Sequence, residues 1–181
     1  THFDDDHING VEHLLARMDV KTLTVPETDG PARDAVLDLA AVYGVAVETV
    51  TEETALPFGD AELTIFPPLG TGGSNELGLT VLATAGENDF LVTGDMERAT
   101  EKKLIETYNL PDIEVLMAGH HGSKGSTSEE LLEAVTPETV IISVGSNSYG
   151  HPAEDTLRRL ARAGCAVYRT DHHGTVYLSF K

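Results

Sequence analysis

Residues of the types that bind divalent metal ions cluster at the start of the chain. The run His2-Phe3-Asp4-Asp5-Asp6-His7 offers imidazoles and carboxylates directly ahead of a helical pattern. In an extended segment, residues 2, 4 and 6 point to the same side, and His7 at the turn into the helix would face a second ion. Such donors suit Zn²⁺, Mn²⁺ or Fe. The alternative is an acidic run that only stabilises the N-terminus of the following helix.

Further candidate ligands follow predicted strands. Asp95 comes after Thr93-Gly94 at the end of an apolar run, where it could bridge two cations or cap the next helix. The loop Gly119-His120-His121-Gly122-Ser123-Lys124 places two imidazoles beside a positive charge. Its glycines allow sharp turns, so the loop is typical of an anion cradle. The serines that follow it are interpreted mainly as helix caps.

Three other polar positions receive an interpretation. His151, within Ser146-Asn147-Ser148-Tyr149-Gly150-His151-Pro152, lies between a predicted strand and a predicted helix and is a candidate metal ligand, phosphate contact or proton donor. The run Asp171-His172-His173-Gly174 is interpreted as a hairpin turn. Cys165, the single cysteine, is interpreted as a buried small apolar residue and not as a nucleophile.

Helical and strand patterns alternate along the chain, and most boundaries carry a glycine, a proline or a capping residue. The periodicity predicts helices over residues 8–18, 31–43, 98–108 and 129–135, and another that begins near Pro152 and ends at Gly164. It predicts strands over 23–25, 45–47, 63–66, 77–85, 90–93, 113–117, 140–144, 166–169 and 175–180, with a hairpin loop at 86–88. This mixture favours an α/β domain with two sheets covered by helices.

Length and composition limit the possible classes. A chain of 181 residues with 40% hydrophobic residues is predicted to form one domain over residues 1–181. Its apolar runs are much shorter than the ~18 residues of a membrane span. The net charge of -18 argues against a passive nucleic-acid-binding protein, which would carry a basic patch. Since the chain starts at Thr1 without an initiator methionine, we expect it to be an excerpt of a longer protein.

Taken together, the motifs resemble the metallo-β-lactamase superfamily, whose His-x-His-x-Asp-His motif appears at residues 2–7 with aspartate at position 4. Over almost its whole length the chain resembles the C-terminal domain of ComEC-type competence DNA-internalisation proteins. This resemblance depends on residues 2–7 together with residues 75–79, 93–95, 119–123, 144–152 and 168–171. It implies a four-layer αβ/βα sandwich with a metal site at one edge. It also implies several strands ahead of the first motif, which we expect to be missing here.

The resemblance assigns roles to individual residues. One or two divalent ions, Zn²⁺ or Mn²⁺, would be held by His2, Asp4, Asp6, His7, Asp95 and His120. The further roles are hypotheses that rest on loop position beside these ligands: catalytic roles for His121 and His151 together with Asp6 and Asp95, and substrate contacts for Asn75, Ser123, Lys124 and His151. Asn75 stands where many members carry a metal-binding histidine, which leaves the occupancy of the second metal position open.

The implied activity is metal-dependent phosphodiester hydrolysis, as a DNA nuclease in competence-related DNA uptake. The implied partners are DNA and the transmembrane portion of a membrane-associated parent protein, with this domain on the extracellular face. A basic track for DNA, or simply a solvated helix face, could be formed by Lys124, Arg158, Arg159, Arg162 and Arg169. Two alternatives stay open: hydrolysis of a small phosphoester such as a phosphorylcholine ester, and a catalytically degenerate domain that binds DNA or a partner.

Overall fold

The computed structural model describes residues 1–179. The helices are α1 (Asp5–Ile8), α2 (Val11–Leu15), α3 (Pro31–Tyr43), α4 (Arg98–Thr107), α5 (Glu129–Val135), α6 (Glu154–Ala163) and α7 (Thr170–His173). The strands are β1 (Thr22–Pro26), β2 (Ala46–Val50), β3 (Thr54–Phe58), β4 (Ala61–Phe66), β5 (Thr80–Ala85), β6 (Asn88–Val92), β7 (Val115–Met117), β8 (Thr139–Ile142) and β9 (Ala166–Arg169). Among the described residues, none of the helices has the length and apolar character needed to cross a bilayer.

Seven of the strands form one mixed sheet, in the chain order β3 to β9. Strands β3 to β6 pair antiparallel, whereas β6 to β9 pair parallel. Strands β1 and β2 form a separate parallel sheet. The predicted α/β class with two sheets is therefore confirmed. Because the carboxyl ends of parallel strands meet at one edge of a sheet, the loops after β6, β7 and β8 are brought together there.

The main hydrophobic core lies between the large sheet and helices α4, α5 and α6. Leu91 and Leu116 from the sheet and Leu104, Leu131 and Leu160 from the helices are fully buried in it. The opposite face of the sheet carries a smaller cluster of Val50, Ile65 and Leu79. Since Val50 belongs to β2, this cluster joins the small sheet to the large one.

Glycine and serine set several element boundaries as the sequence predicts. Helix α3 begins at Pro31 and ends before Gly44, which adopts a left-handed conformation with φ of 67°. The Ser128 hydroxyl caps α5 by accepting a hydrogen bond from the Leu131 amide. The predicted β5–β6 hairpin is confirmed, but Ala85 pairs directly with Asn88, so its loop has two residues and not three.

Several predicted elements differ from the structure. The first motif is not extended throughout, because Asp6 lies inside α1, and the predicted helix 8–18 is broken at Asn9-Gly10. Strand β3 is missed because it contains Pro57, which an edge strand tolerates. The predicted turn at 171–174 is the short helix α7, and residues 175–179 form no strand. Phe180, the last residue of that predicted strand, lies outside the described residues.

We predict that the helical core controls stability. Replacing the fully buried Leu160 of α6 with alanine should lower the free energy of unfolding by about 2–5 kcal/mol, because it removes apolar contacts and leaves a cavity. The matched change Leu14→Ala in α2, where the side chain is 53% exposed, should alter it by less than about 0.5 kcal/mol. Urea unfolding followed by circular dichroism measures both. Equal effects of the two changes would contradict this description of the core.

Candidate metal centre

Four segments converge at the carboxyl edge of the parallel strands. Asp95 follows β6, the pair His120-His121 follows β7, and His151 lies in the loop after β8. The segment 1–8, which contains the first motif, is joined to this edge by a hydrogen bond from the Leu79 amide to the Thr1 carbonyl, 2.8 Å long. The topology therefore assembles donors that are far apart in the chain.

Asp95 lies at the centre of this assembly and is 5% exposed. Its Oδ1 atom is 3.3 Å from His7 Nε2, and its Oδ2 atom lies 3.7, 3.8 and 4.0 Å from the Nε2 atoms of His121, His120 and His2. Burial opposes ionisation of Asp95, but the close His7 and the other imidazoles outweigh it and lower the pKa of the carboxyl group. Asp95 is therefore ionised among the imidazoles.

The donor atoms form two overlapping groups that share His7. One group contains His2, His7 and Asp95, and the other contains Asp6, His7 and His121; within each, the donor atoms lie within 4.8 Å of one another. The buried Nε2 atom of His2 has no hydrogen-bond partner in the described structure. An unpaired buried nitrogen is unfavourable, and nitrogen with carboxylate oxygen is a donor set that divalent metal ions accept. These residues therefore fit a metal centre.

Asp4 also lies beside this centre. Its carboxylate is 3.6 Å from His2 Nε2 and the side chain is 40% exposed. Burial, followed by the nearby charge of His7, lowers the pKa of His2, so His2 is held as a neutral imidazole. A neutral imidazole is the form that binds a metal ion. By contrast, the close contact with Asp95 raises the pKa of His7.

The two adjacent histidines face different partners. His121 Nδ1 is 2.7 Å from the Ser143 carbonyl oxygen, which can only accept, so Nδ1 carries the proton. His121 Nε2 lies 3.1 Å from the Asp6 carboxylate, so this contact needs either a second proton, on Nε2, or a cation between the two atoms. His120 instead lies edge-on to His151, with ring centroids 5.5 Å apart. The geometry favours His121 over His120 as the ligand next to Asp6.

The loop that carries this pair has a strained backbone. His120 and His121 have φ of 49° and 52°, a left-handed conformation that is unfavourable for residues with a side chain. Gly122 follows with φ of 82°, and a Cβ atom there would lie 2.6 Å from Cβ of Pro152. Only glycine therefore fits at position 122 without a shift of the neighbouring loop. Such strain persists only where surrounding contacts over-determine the conformation.

Two buried ionisable residues hold the later part of the same loop, residues 126–128. Glu101 of α4, fully buried, accepts hydrogen bonds from the backbone amides of Thr127 and Ser128. Arg159 of α6 donates to the carbonyl oxygens of Ser126 and Thr127, at 2.7 and 3.0 Å. Burial raises the pKa of Glu101, although these amides and Arg159 favour its charged form. The loop is therefore held through its backbone from two helices.

Two predicted phosphate contacts lie outside the metal centre. Ser123 is buried, and its hydroxyl accepts a hydrogen bond from the Gly125 amide. Lys124 lines a separate cleft of about 740 Å³, together with Arg98, Arg158, Arg159 and Arg162. Five of the chain's 12 basic residues surround that cleft. Its acidic members are Glu97, Glu129, Glu130 and Asp155, so it is of mixed charge.

Asn75 lies in a 3-10 helix over Ser74–Leu77, which is followed by Gly78 against the His2 side chain. The next residue, Glu76, has a structural role. Its carboxylate accepts hydrogen bonds from the Glu97 amide and the Thr100 hydroxyl at the start of α4. The segment is thereby fixed between the first motif and α4.

Sequence reasoning missed two residues that the structure singles out. Glu101 lies three residues before Leu104, on the same face of α4. A carboxylate on an apolar helix face is a sequence signal that could have identified Glu101 as a buried residue. Arg33 lines a pocket of about 250 Å³ together with His2 and Asp4. Its Nε atom is buried and unpaired in the described structure. No pattern in the sequence distinguishes Arg33 from the other arginines.

Comparison with known proteins agrees with this arrangement. Residues 1–146 match the family model described as the metallo-beta-lactamase superfamily. The chain belongs to the metallo-beta-lactamase superfamily. It is 36% identical over 186 residues to ComE operon protein 3 of Bacillus subtilis, covering 100% of this chain and 24% of that protein. It is 41% identical over 95 residues to Competence protein ComA of Neisseria gonorrhoeae, covering 51% of this chain and 14% of that one.

A solved structure supports the same superfamily fold. The metallo-beta-lactamase fold protein YhfI from Bacillus subtilis superposes with a TM-score of 0.62 at 9% identity, covering 94% of this chain and 72% of YhfI. The chain is therefore a metallo-beta-lactamase-fold domain of the ComEC type, as the motifs predict. It spans about a quarter or less of the length of the two competence relatives.

We predict that Glu101 controls the metal centre through the loop backbone. Glu101→Ala should lower the free energy of unfolding by about 2–5 kcal/mol, because two buried amides lose their acceptor. It should also weaken Mn²⁺ or Zn²⁺ binding, measured by calorimetry at a temperature where the variant is folded. Glu101→Gln, which keeps one acceptor oxygen, should lose less of both. Unchanged metal affinity in a folded Glu101→Ala variant would show that the loop needs no such support.

Proposed function

We propose that the chain is a metal-dependent phosphodiesterase that hydrolyses DNA in competence-related DNA uptake. The observation that carries the proposal is the pair of donor groups that share His7 and lie around the ionised Asp95. Paired sites of this kind suit the hydrolysis of phosphate esters, since two ions can act on both sides of one phosphorus atom. When bound, the ions would supply Lewis-acid polarisation and water activation.

We assign the ligands from the geometry. His2 and Asp95, with Asp4 beside His2 and His7 within reach, would hold one ion, and Asp6, His7 and His121 would hold the other. Zn²⁺ and Mn²⁺ are both compatible with this mixture of imidazole and carboxylate. His120, which sequence reasoning places among the ligands, lies 3.8 Å from Asp95 and could instead serve as a proton donor to the leaving oxygen.

The proton-donor role of His151 is less favoured. Burial, followed by the charges of His120 and His121, lowers the pKa of His151, which disfavours the imidazolium form that a proton donor needs at neutral pH. We therefore place His151 in substrate contact. We propose that Asn75, adjacent to the first motif, is a weak metal ligand or a substrate contact.

The position of Arg33 is an argument for an anionic substrate. Arg33 lines the pocket together with His2 and Asp4, and its only ion pair in the described structure is a 3.4 Å contact with the exposed Asp34. An arginine with free donors beside a metal centre can bind a phosphate oxygen. In a chain of net charge -18, such a local cation would offset the repulsion of DNA near the reacting phosphate.

The similarity to competence proteins supports the biological setting. Because the chain spans only part of those relatives, the parent is proposed to be a longer, membrane-associated protein. We place this domain on its extracellular face, where incoming DNA would meet the metal centre. A small phosphoester substrate remains the second candidate, favoured by the limited 250 Å³ volume beside Arg33.

We predict that Asp95→Asn removes metal-dependent cleavage of DNA. The rate with Mn²⁺ or Zn²⁺ should fall on the order of 100-fold or more, because the ionised oxygen between the two donor groups is replaced by a neutral amide. Bound metal, measured by mass spectrometry, should fall with it. The matched change Asp38→Asn, on the exposed face of α3, should leave both unchanged.

The same assay separates the alternatives. If the folded, metal-loaded wild-type chain cleaves a small diester but not DNA, the substrate is a small phosphoester. Folded chain that binds no ion after purification without chelator would favour a degenerate binding domain.

We further predict that Arg33 contributes to substrate binding and not to the metal centre. Arg33→Ala should raise KM for DNA about 10-fold or more with kcat nearly unchanged, because a charge-assisted hydrogen bond to phosphate is lost. Arg33→Lys should recover part of the loss. Arg17→Ala, which removes an exposed arginine that does not line the pocket, is the control. An unchanged KM in Arg33→Ala would exclude the phosphate contact.

A further inference from the structure

The loop between β8 and α6 forms one wall of a second cleft at the metal centre. This cleft has a volume of about 460 Å³ and reaches Asp6 and His121, both of the second donor group. Tyr149 and His151 line its outer wall. A group bound in this cleft would therefore lie next to the second donor group.

Tyr149 presents its ring to solvent and is 83% exposed. Exposed tyrosines are common on mobile loops, but this loop is internally braced by one side chain. The Asn147 amide oxygen accepts hydrogen bonds from the backbone amides of Tyr149 and His151, at 3.1 and 3.0 Å. The Asn147 amide nitrogen donates to the carbonyl oxygens of Gly145 and His151, at 2.9 and 2.8 Å. The backbone that carries the Tyr149 ring is thus braced on both sides of the residue.

The Tyr149 ring is also aligned with the other rings of the site. It stacks with His151 at a centroid separation of 6.0 Å and an interplanar angle of 25°. His151 in turn contacts His120 edge-on. The described structure therefore has a row of three rings, Tyr149, His151 and His120, that leads from solvent to the metal centre. The outer face of the Tyr149 ring, at the solvent end of the row, is uncovered.

We propose that Tyr149 is a stacking platform for a nucleobase of single-stranded DNA, next to the phosphodiester that is cleaved. The proposal rests on the proposed function and names the substrate form that the same site accepts. Every base has a flat face that stacks on an aromatic ring, so such a platform needs no sequence preference. In a duplex both faces of an internal base are covered by its neighbours, so the platform favours single strands or frayed ends.

The stacking can be tested without cleavage. Fluorescence anisotropy in the presence of a chelator compares a labelled oligothymidylate with an abasic deoxyribose-phosphate oligomer of equal length. Wild-type chain should bind the oligothymidylate more tightly, and Tyr149→Ala should weaken that binding about 10-fold or more while leaving the abasic oligomer unaffected. Tyr149→Phe, which keeps the ring and loses the hydroxyl, should match wild type. Tyr149→Trp should bind at least as tightly as wild type.

Cleavage kinetics provide the second readout. With Mn²⁺ present, Tyr149→Ala should raise KM for oligothymidylate by a similar factor and leave kcat within about twofold. The preference of wild type for single-stranded over double-stranded DNA should shrink by the same factor. Circular dichroism confirms that each variant is folded.

The outcomes separate this proposal from the proposed function. Suppose that Tyr149→Ala abolishes base-dependent binding but the wild-type chain cleaves no DNA. That result would support the stacking role of Tyr149 and reject DNA hydrolysis. If wild type and Tyr149→Ala cleave DNA equally well, the stacking role of Tyr149 is rejected and the proposal of DNA hydrolysis is kept. An equal loss in Tyr149→Ala and Tyr149→Phe would assign the effect to the hydroxyl and overturn stacking, as would an equal loss on the abasic oligomer.

Discussion

A buried carboxylate surrounded by imidazoles is the interaction on which the rest of this site depends. Burial alone would raise the pKa of Asp95, but His7, His120 and His121 outweigh burial and lower it. The same attraction orients His7 and keeps the first motif against the sheet edge. His7, which contacts Asp95, belongs to both donor groups, so a shift of Asp95 that moves His7 would alter both groups at once.

The positioning of Asp95 and the histidines is achieved mainly through backbone geometry. Strands β6, β7 and β8 are parallel neighbours, so their carboxyl ends deliver three loops to one edge. The histidine loop is left-handed at His120 and His121, and Glu101 and Arg159 hold its later residues, 126–128, through backbone amides and carbonyls. The Thr127 hydroxyl, which accepts a hydrogen bond from the Gly119 amide, connects this held segment to the start of the loop.

Charge is distributed unevenly for a proposed DNA-processing domain. The overall charge of -18 repels nucleic acid, and the basic residues near Lys124 are interleaved with carboxylates in a cleft separate from the donor groups. Binding would then depend on local features: the ions themselves, Arg33 on one side and an aromatic wall on the other. Such a site would discriminate by contact at the reacting phosphate and its neighbouring base more than by long-range attraction.

The sequence by itself determined the class of fold and predicted most members of the two candidate donor groups. Alternating apolar periods and Gly or Pro boundaries predicted α3, α5 and the β5–β6 hairpin, because these elements are specified by local patterns. The same patterns missed β3, since Pro57 is acceptable only at a sheet edge that a linear pattern does not reveal. The residues 175–179 have a strand-like pattern but no strand partner.

Only the tertiary structure decided how those donors are arranged. Which of the adjacent histidines approaches Asp6 depends on the Ser143 carbonyl, 22 residues away, which fixes the ring of His121. The places of Arg33 and Glu101 likewise follow from pockets and backbone amides supplied by distant segments. Residue types and spacing specify what a side chain can donate or accept, but the partner it meets is set by packing between segments far apart in the chain.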